Sequence, residues 1–353
     1  MFDRVSTDAL APAADADGYA SALVAVGSLS LVATVLLFVF APSYVVFPVI
    51  AFLAATAVGW VTYQAAFARF LALVATITTV LTLGLITVYL FISAAPAIRA
   101  HGIDLLVPDQ KGFWNPNAGL YSLLPMIWAT VVVTVIAAGV AGPFGVLGAL
   151  FISQIAPANL RAIVKPGIEI LAGIPSIVYG YIGFRVLNGF VQTAFLDDGA
   201  SFLIAGLVVG VMALPTVVSV AEDALSSVPE SMQDGSIAMG ATRWQTMKSI
   251  AIPSAISGIS AAIILGLGRA IGETMAVAAI MAAGIGLPKP LWDVFDASAT
   301  LTSLIATQYG TASEMTISVL FVAGILLFVI VSGLSVASQI IEQRMKEQLK
   351  GEQ

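Results

Sequence analysis

The sequence contains no cysteine and one histidine, His101. The first absence excludes disulfides, a thiolate nucleophile and Cys-ligated zinc or iron–sulfur sites. The second excludes His-rich metal sites and most His-based catalysis. Charge is scarce too. Asp, Glu, Lys and Arg make up 10% of the 353 residues, against about 25% in a soluble domain. So few charges cannot cover a chain that is 59% hydrophobic, and a soluble globular fold is excluded. The formal charge of −6 offers no basic face for a nucleic acid, so no such partner is expected. No Walker A glycine loop is present, so no nucleotide site is expected in this chain. Residues 1–20 carry one base, Arg4, and four Asp. That is the wrong charge for a cleavable leader, and the first apolar run is expected to stay as an anchor.

What is present is a series of long apolar runs. A spanning helix needs about 20 mostly apolar residues. Runs of that kind lie at 22–40, 44–62, 70–95, 125–152, 166–190, 202–220, 254–283 and 315–340. The reading is an all-α polytopic membrane protein of eight spans. With the N-terminus inside, nine bases fall in cytoplasmic segments and three in external ones, Arg99, Lys111 and Lys289. That bias places both termini in the cytoplasm. A cytoplasmic tail, 1–21, leads into a transmembrane hairpin, 22–62, which is set apart as an accessory element. The six remaining spans form a core over 70–340, and 341–353 is a cytoplasmic tail. External loops cover 96–124 and 284–314. The segments near 296–309 and 221–250 are helical in pattern but too polar to cross.

The cytoplasmic loop 221–253 has the most specific local chemistry. Ser227 and Glu230 have capping-box spacing, as do Thr242 and Gln245. A helix from the first box is expected to end near Met239. Gly240 is then expected at the turn with positive φ, where glycine costs least. Pro253 marks the entry to the next span. This bent pair of helices is either a plain connector or a docking element for a cytoplasmic partner.

The seventh span carries a charged centre, Gly266-Leu-Gly-Arg269-Ala-Ile-Gly272-Glu273-Thr274-Met275. A continuous helix would put Arg269 and Glu273, four residues apart, on one face. An arginine deep in a span needs a partner or a polar path. Two readings follow, a structural ion pair or an oxyanion path in which the guanidinium fork contacts substrate. Gly266, Gly268 and Gly272 keep one side thin for a helix or a ligand. In 166–190, Gly173-Ile-Pro175-Ser176 interrupts the apolar run. The break serves either as a packing kink or as a cavity lining, where Ser176 and nearby backbone N–H groups could face an anion.

Two resemblances rest on these residues. Asp234-Gly235-Ser236, Gly240, Ile250, Ile252 and Pro253 resemble the EAA loop of ABC importer permeases, with Asp for Glu, Gly-Ser for Ala-Ala and Ile for Leu. The resemblance implies a coupling loop that docks on a separate ATPase. Residues 171–180 and 268–277 resemble the phosphate-specific ABC permeases of the PstC type, as do Phe113-Trp-Asn-Pro116 and 299–305. This covers about 70–353 but not the hairpin, and Arg185 departs from it. Arg185 either snorkels to the outer interface or adds charge to an anion entry; the former is preferred.

The resemblance implies a permease subunit of an ATP-driven phosphate importer in a prokaryotic cell membrane. It implies Arg269, Glu273, Thr274, Gly272, Pro175 and Ser176 along the substrate path. It further implies a PstA-type sister permease, a PstB-type ATPase dimer holding ATP and Mg, and a PstS-type external phosphate-binding protein docking on the two external loops, all in membrane lipid. No cofactor is expected in this chain, and the ATPase activity belongs to the assembled complex. A permease for sulfate or molybdate is an alternative, since charge alone does not discriminate among oxyanions. A secondary anion transporter is less well supported, because it needs coupling carboxylates and has no use for a docking loop. An intramembrane enzyme lacks its residues: there is no Ser–His pair, HExxH helix or pair of membrane aspartates.

Overall fold

The computed structural model describes residues 18–107, 112–190, 200–281 and 285–351. Arg4, Lys111 and most of the 1–21 tail lie outside the described residues. Seven described helical segments are long and apolar enough to cross a membrane. A bent pair, Ala158–Ala172 with Ser176–Asn188, makes an eighth if it counts as one span. The chain folds as two compact units, Met1–Tyr89 and Leu90–Gln353.

In the first unit, α1 (Gly18–Phe40) and α2 (Val46–Thr62) form a hairpin closed by a 3₁₀ turn at Pro42–Tyr44. Helix α3 (Gln64–His101) begins here. Phe67 is fully buried and meets Phe70 edge-on, with ring centroids 5.7 Å apart.

In the second unit, a two-stranded antiparallel hairpin, β1 (Trp114–Asn115) and β2 (Leu120–Tyr121), follows α3. The helices are α4 (Leu124–Leu150), α5 (Ala158–Ala172), α6 (Ser176–Ile182), α7 (Phe202–Ser226), α8 (Glu230–Ala238), α9 (Arg243–Thr246), α10 (Ile252–Gly272), α11 (Met275–Ile280), α12 (Leu301–Gln308) and α13 (Glu314–Gly351). Helix α7 is central. Of its most apolar window 61% is buried, against 33% or less in the other six single spans. It packs on α4 and α10 through small residues, among them Ala137, Ala141, Ala205, Ala213, Ala221, Ala255 and Ala262. Such residues let backbones approach where lipid supplies no hydrophobic drive between helices.

Proline breaks in the helices are compensated locally. Pro96 in α3 cannot donate. Next to it, Ser318 of α13 accepts from Ala97 N–H (3.0 Å) and donates to the Ser93 carbonyl (2.7 Å). Pro253 stands just after a π-helical stretch, Met247–Ala251, which absorbs the lost i→i−4 bond without ending the helix.

The structure corrects several boundaries. The seventh span does not run as one helix over 254–283. Its helical run starts at Arg243 and stops at Gly272, and Glu273 is extended (φ −67°, ψ 123°). The fifth span bends by 88° at the Gly173–Pro175 break, and the sixth continues to Ser226. Ser227 forms no capping box. Its hydroxyl donates back to the Ala224 carbonyl (2.7 Å), and Pro229 precedes α8 with no side-chain cap. The 341–353 tail continues α13 as helix to Gly351.

Candidate functional site

The polar residues expected along a substrate path sit where spans break. Helix α10 ends at Gly272, and Arg269 occupies its last turn, half-buried. A cation there is favoured by the negative end of the helix dipole. Its Nη1 donates to Thr216 Oγ1 of α7 at 3.2 Å. Glu273 does not pair with it. Among the described residues the ion pairs are those of Lys165 with Glu222 and Asp223. The Glu273 Oε1 instead accepts from the Ala276 N–H at 3.1 Å, at the start of α11. A carboxylate is favoured at a helix N-terminus, both as a cap and by the dipole. The break therefore gives each charge its own helix end, and the expected shared helix face is absent. Of the two readings of this pair, the structural ion pair is not found.

Hydroxyls of α12 hold the break. Thr302 Oγ1 donates to the Glu273 carbonyl (2.9 Å) and meets Thr300 Oγ1 at 3.1 Å. Thr130 Oγ1 on α4 accepts the Leu301 N–H (3.0 Å). Thr274 Oγ1 donates to the Gly272 carbonyl (3.1 Å).

The second break lies beside the first. Pro175 precedes α6, and Ser176 is its half-buried first residue. Helix α6 lies on α11. A Cβ at Gly180 would stand 2.8 Å from Ala276 Cα, and one at Gly183 would stand 2.6 Å from Ile280 Cδ1. The two half-helices thus run in the same direction, in a contact open only to glycine. Beyond them Asn188 Nδ2 donates to the Ile280 carbonyl (3.2 Å). Of the three glycines expected to thin α10, only Gly266 meets a neighbour among the described residues. A Cβ there would lie 2.4 Å from Val217 Cγ2, whereas Gly268 and Gly272 face open space. Arg185 is exposed in a π-helical stretch, Gly183–Asn188.

The loop between α7 and α10 bends as its residues require. Gly240 has φ +89°. The Thr242–Gln245 capping box forms with both bonds in place. Asp234 and Gly235 are exposed, and Ser236 Oγ meets Thr246 Oγ1 at 3.1 Å. Ile250, Ile252 and Pro253 are half-buried, and Ile252 packs on the core shared by α4, α7 and α10. Met239 (90% exposed) and Trp244 (66%) flank the bend. Apolar side chains presented so openly beside a rigid turn suit a protein contact.

Two further features were not read from the sequence. Glu222 on α7 is buried, and Lys165 of α5 reaches it at 2.6 Å and Asp223 at 3.3 Å. Ser226 Oγ donates to Glu222 Oε1 (2.9 Å). Thr216 is the other. Its signal was a hydroxyl next to Pro215 within an apolar run. No group of three or more His, Cys, Asp or Glu among the described residues is placed to hold a metal ion.

Comparison with known proteins agrees with this architecture. Residues 141–347 match the family model described as the binding-protein-dependent transport system inner membrane component. The chain is 37% identical to a probable ABC transporter permease protein, YqgH, of Bacillus subtilis, over 66% of this chain and 77% of that one. It is 31% identical to the phosphate transport system permease protein PstC of Haemophilus influenzae, over 76% of this chain and 90% of the relative. The fold is shared with a chain of a bacterial alginate ABC transporter solved with its alginate-bound periplasmic protein. That match has a TM-score of 0.54 at 16% identity, covering 80% of this chain and 98% of the other. A family model matching more than half the sequence, joined to a fold whose spans break and whose cytoplasmic loop bends at Gly240, shows that this chain belongs to the binding-protein-dependent transport system inner membrane components.

Proposed function

We propose that the chain is the transmembrane permease subunit of an ATP-driven phosphate importer and forms half of its translocation path. The observation that carries the reading is Arg269. It is a half-buried guanidinium at a helix break, bonded to a neutral hydroxyl and free of any carboxylate among the described residues. A guanidinium keeps its charge at any working pH and offers five donors. With one donor on Thr216, the rest suit a tetrahedral oxyanion. Relatives named as phosphate transport permeases, at 30–32% identity, support phosphate as that anion.

In this reading Glu273, Thr274, Gly272, Pro175 and Ser176 shape the path at the two breaks. Asp234, Gly235, Ser236 and Gly240, with Ile250, Ile252 and Pro253 behind them, form the surface that docks on a PstB-type ATPase dimer. ATP and Mg belong to that dimer. A PstA-type sister permease completes the path, and a PstS-type binding protein delivers phosphate from outside. The hairpin of α1 and α2 is an accessory element ahead of the permease core.

The test is uptake of labelled phosphate by the reconstituted complex. Arg269→Gln is expected to assemble normally and to lose uptake. Uptake at the wild-type rate by this variant would refute the role of Arg269. Sulfate or molybdate transported in place of phosphate by the unaltered complex would reassign the substrate.

A further inference from the structure

Thr216 differs from several other threonines in the spanning helices. Thr34, Thr76, Thr87 and Thr130 each donate their hydroxyl to the carbonyl four residues back, at 2.7–2.8 Å. That is the usual way a helical threonine spends its proton in an apolar surround. The Thr216 hydroxyl oxygen instead accepts from Arg269 Nη1, and among the described residues its own O–H has no acceptor. A hydroxyl carries one donor and two acceptor sites. Accepting from the guanidinium therefore leaves its proton free for a third group.

The neighbourhood keeps this geometry in place. Thr216 lies between Pro215 and Val217. Pro215 cannot donate to the carbonyl four residues back, which opens the polar surface of α7 at this level. Val217 is clamped from two sides. A Cβ at Gly145 of α4 would stand 2.6 Å from Val217 Cγ1, and one at Gly266 of α10 would stand 2.4 Å from Val217 Cγ2. Gly266 lies one turn before Arg269. The backbones that carry Thr216 and Arg269 are thus fixed against each other by contacts that admit no extra methyl group.

We propose that Thr216 completes the anion site at Arg269, accepting one guanidinium N–H and donating its own O–H to the bound phosphate. The proposal rests on the reading of Arg269 as the anion-contacting residue. Thr216 then has two tasks. It turns the guanidinium so that the remaining donors face the path, and it supplies a neutral donor that adds affinity without adding charge. A second fixed positive charge would bind the anion more strongly but slow its release. A hydroxyl avoids that.

Valine and serine separate this role from packing. Valine keeps the β-branched shape and loses the hydroxyl, and serine does the reverse. In the reconstituted complex with binding protein and ATPase, Thr216→Val is expected to lower phosphate uptake about tenfold, the scale of one hydrogen bond to a charged partner. Thr216→Ser is expected to stay within about twofold of wild type, because the lost methyl group costs little where the hydroxyl does the binding. Thr216→Ala serves as a second hydroxyl-free variant if the valine form assembles poorly, and its uptake should fall with that of valine. Assembly is followed by size-exclusion chromatography. If the hydroxyl-free variants transport normally, or serine is as impaired as they are, the proposal is overturned. Arg269→Gln is measured alongside. Normal uptake there would remove the underlying reading, whereas lost uptake there with normal uptake in Thr216→Val and Thr216→Ala would overturn the role of Thr216 alone.

Discussion

Arg269 and Glu273 serve the ends of two different helices, although only four residues separate them. Arg269 lies in the last turn of α10, and the Glu273 carboxylate accepts the Ala276 N–H at the start of α11. Each charge is stabilised by the helix end it occupies, positive at a C-terminus and negative at an N-terminus. Glu273→Gln keeps an acceptor oxygen and is expected to leave stability nearly unchanged. Glu273→Ala removes the cap and is expected to cost about 1 kcal/mol, within the range for lost N-caps. Thermal melting of the detergent-purified protein distinguishes the two. Equal melting points for Glu273→Ala and wild type would show that the cap contributes nothing.

A second prediction concerns Lys165 and the buried Glu222. Removing one partner of a buried pair leaves an uncompensated charge. The Lys165 side chain is 39% exposed, so solvent screens part of the loss. Lys165→Met is expected to cost about 1–3 kcal/mol rather than the full penalty of a dry pair. Lys165→Met combined with Glu222→Leu should recover most of it, since no buried charge then remains. Failure of the double variant to recover would mean that the pair is needed for more than charge balance.

Gly240 is the position where the loop between α7 and α10 is most sensitive to a backbone change. Its φ of +89° is disfavoured for any residue with a Cβ, yet a Cβ there would meet nothing within 4 Å. A substitution therefore acts through backbone strain alone. Gly240→Val is expected to insert normally and to lose co-purification with the ATPase or its stimulation by binding protein. A fully stimulated complex from Gly240→Val would reduce the loop to a connector.

Two glycines in one turn of α10 should respond in opposite ways. Gly266→Ala forces a methyl group into Val217 and is expected to destabilise by about 1–3 kcal/mol, the usual cost of overpacking. Gly268→Ala meets nothing among the described residues and should be as stable as wild type when the subunit is isolated. If Gly268→Ala fails only in the assembled complex, that face is covered by another subunit. Equal stability of Gly266→Ala and wild type would contradict the close approach of α7 and α10.

Length and hydropathy alone mark which stretches can cross the membrane, and neighbouring residues alone mark the bend at Gly240 and the Thr242–Gln245 cap. These are local matters. In lipid a helix must satisfy its own backbone, so length and hydropathy suffice to recognise it. A glycine with positive φ and a capping box are likewise decided within a few residues. Where a span stops is not local. The apolar pattern runs through Glu273 without a break, but the chain leaves the helix there, where Thr302 holds the Glu273 carbonyl and α6 packs on α11. Ser227 shows the same limit at a loop. Its spacing to Glu230 suits a cap, yet Val228 is buried and Ser227 closes the preceding helix instead. The partners of the charged residues were least legible. Thr216 is 53 residues from Arg269, and Glu222 is 57 from Lys165. Which side chains meet depends on how helices cross, and that is set by small-residue contacts such as Gly266 on Val217, which leave no periodic mark in the sequence.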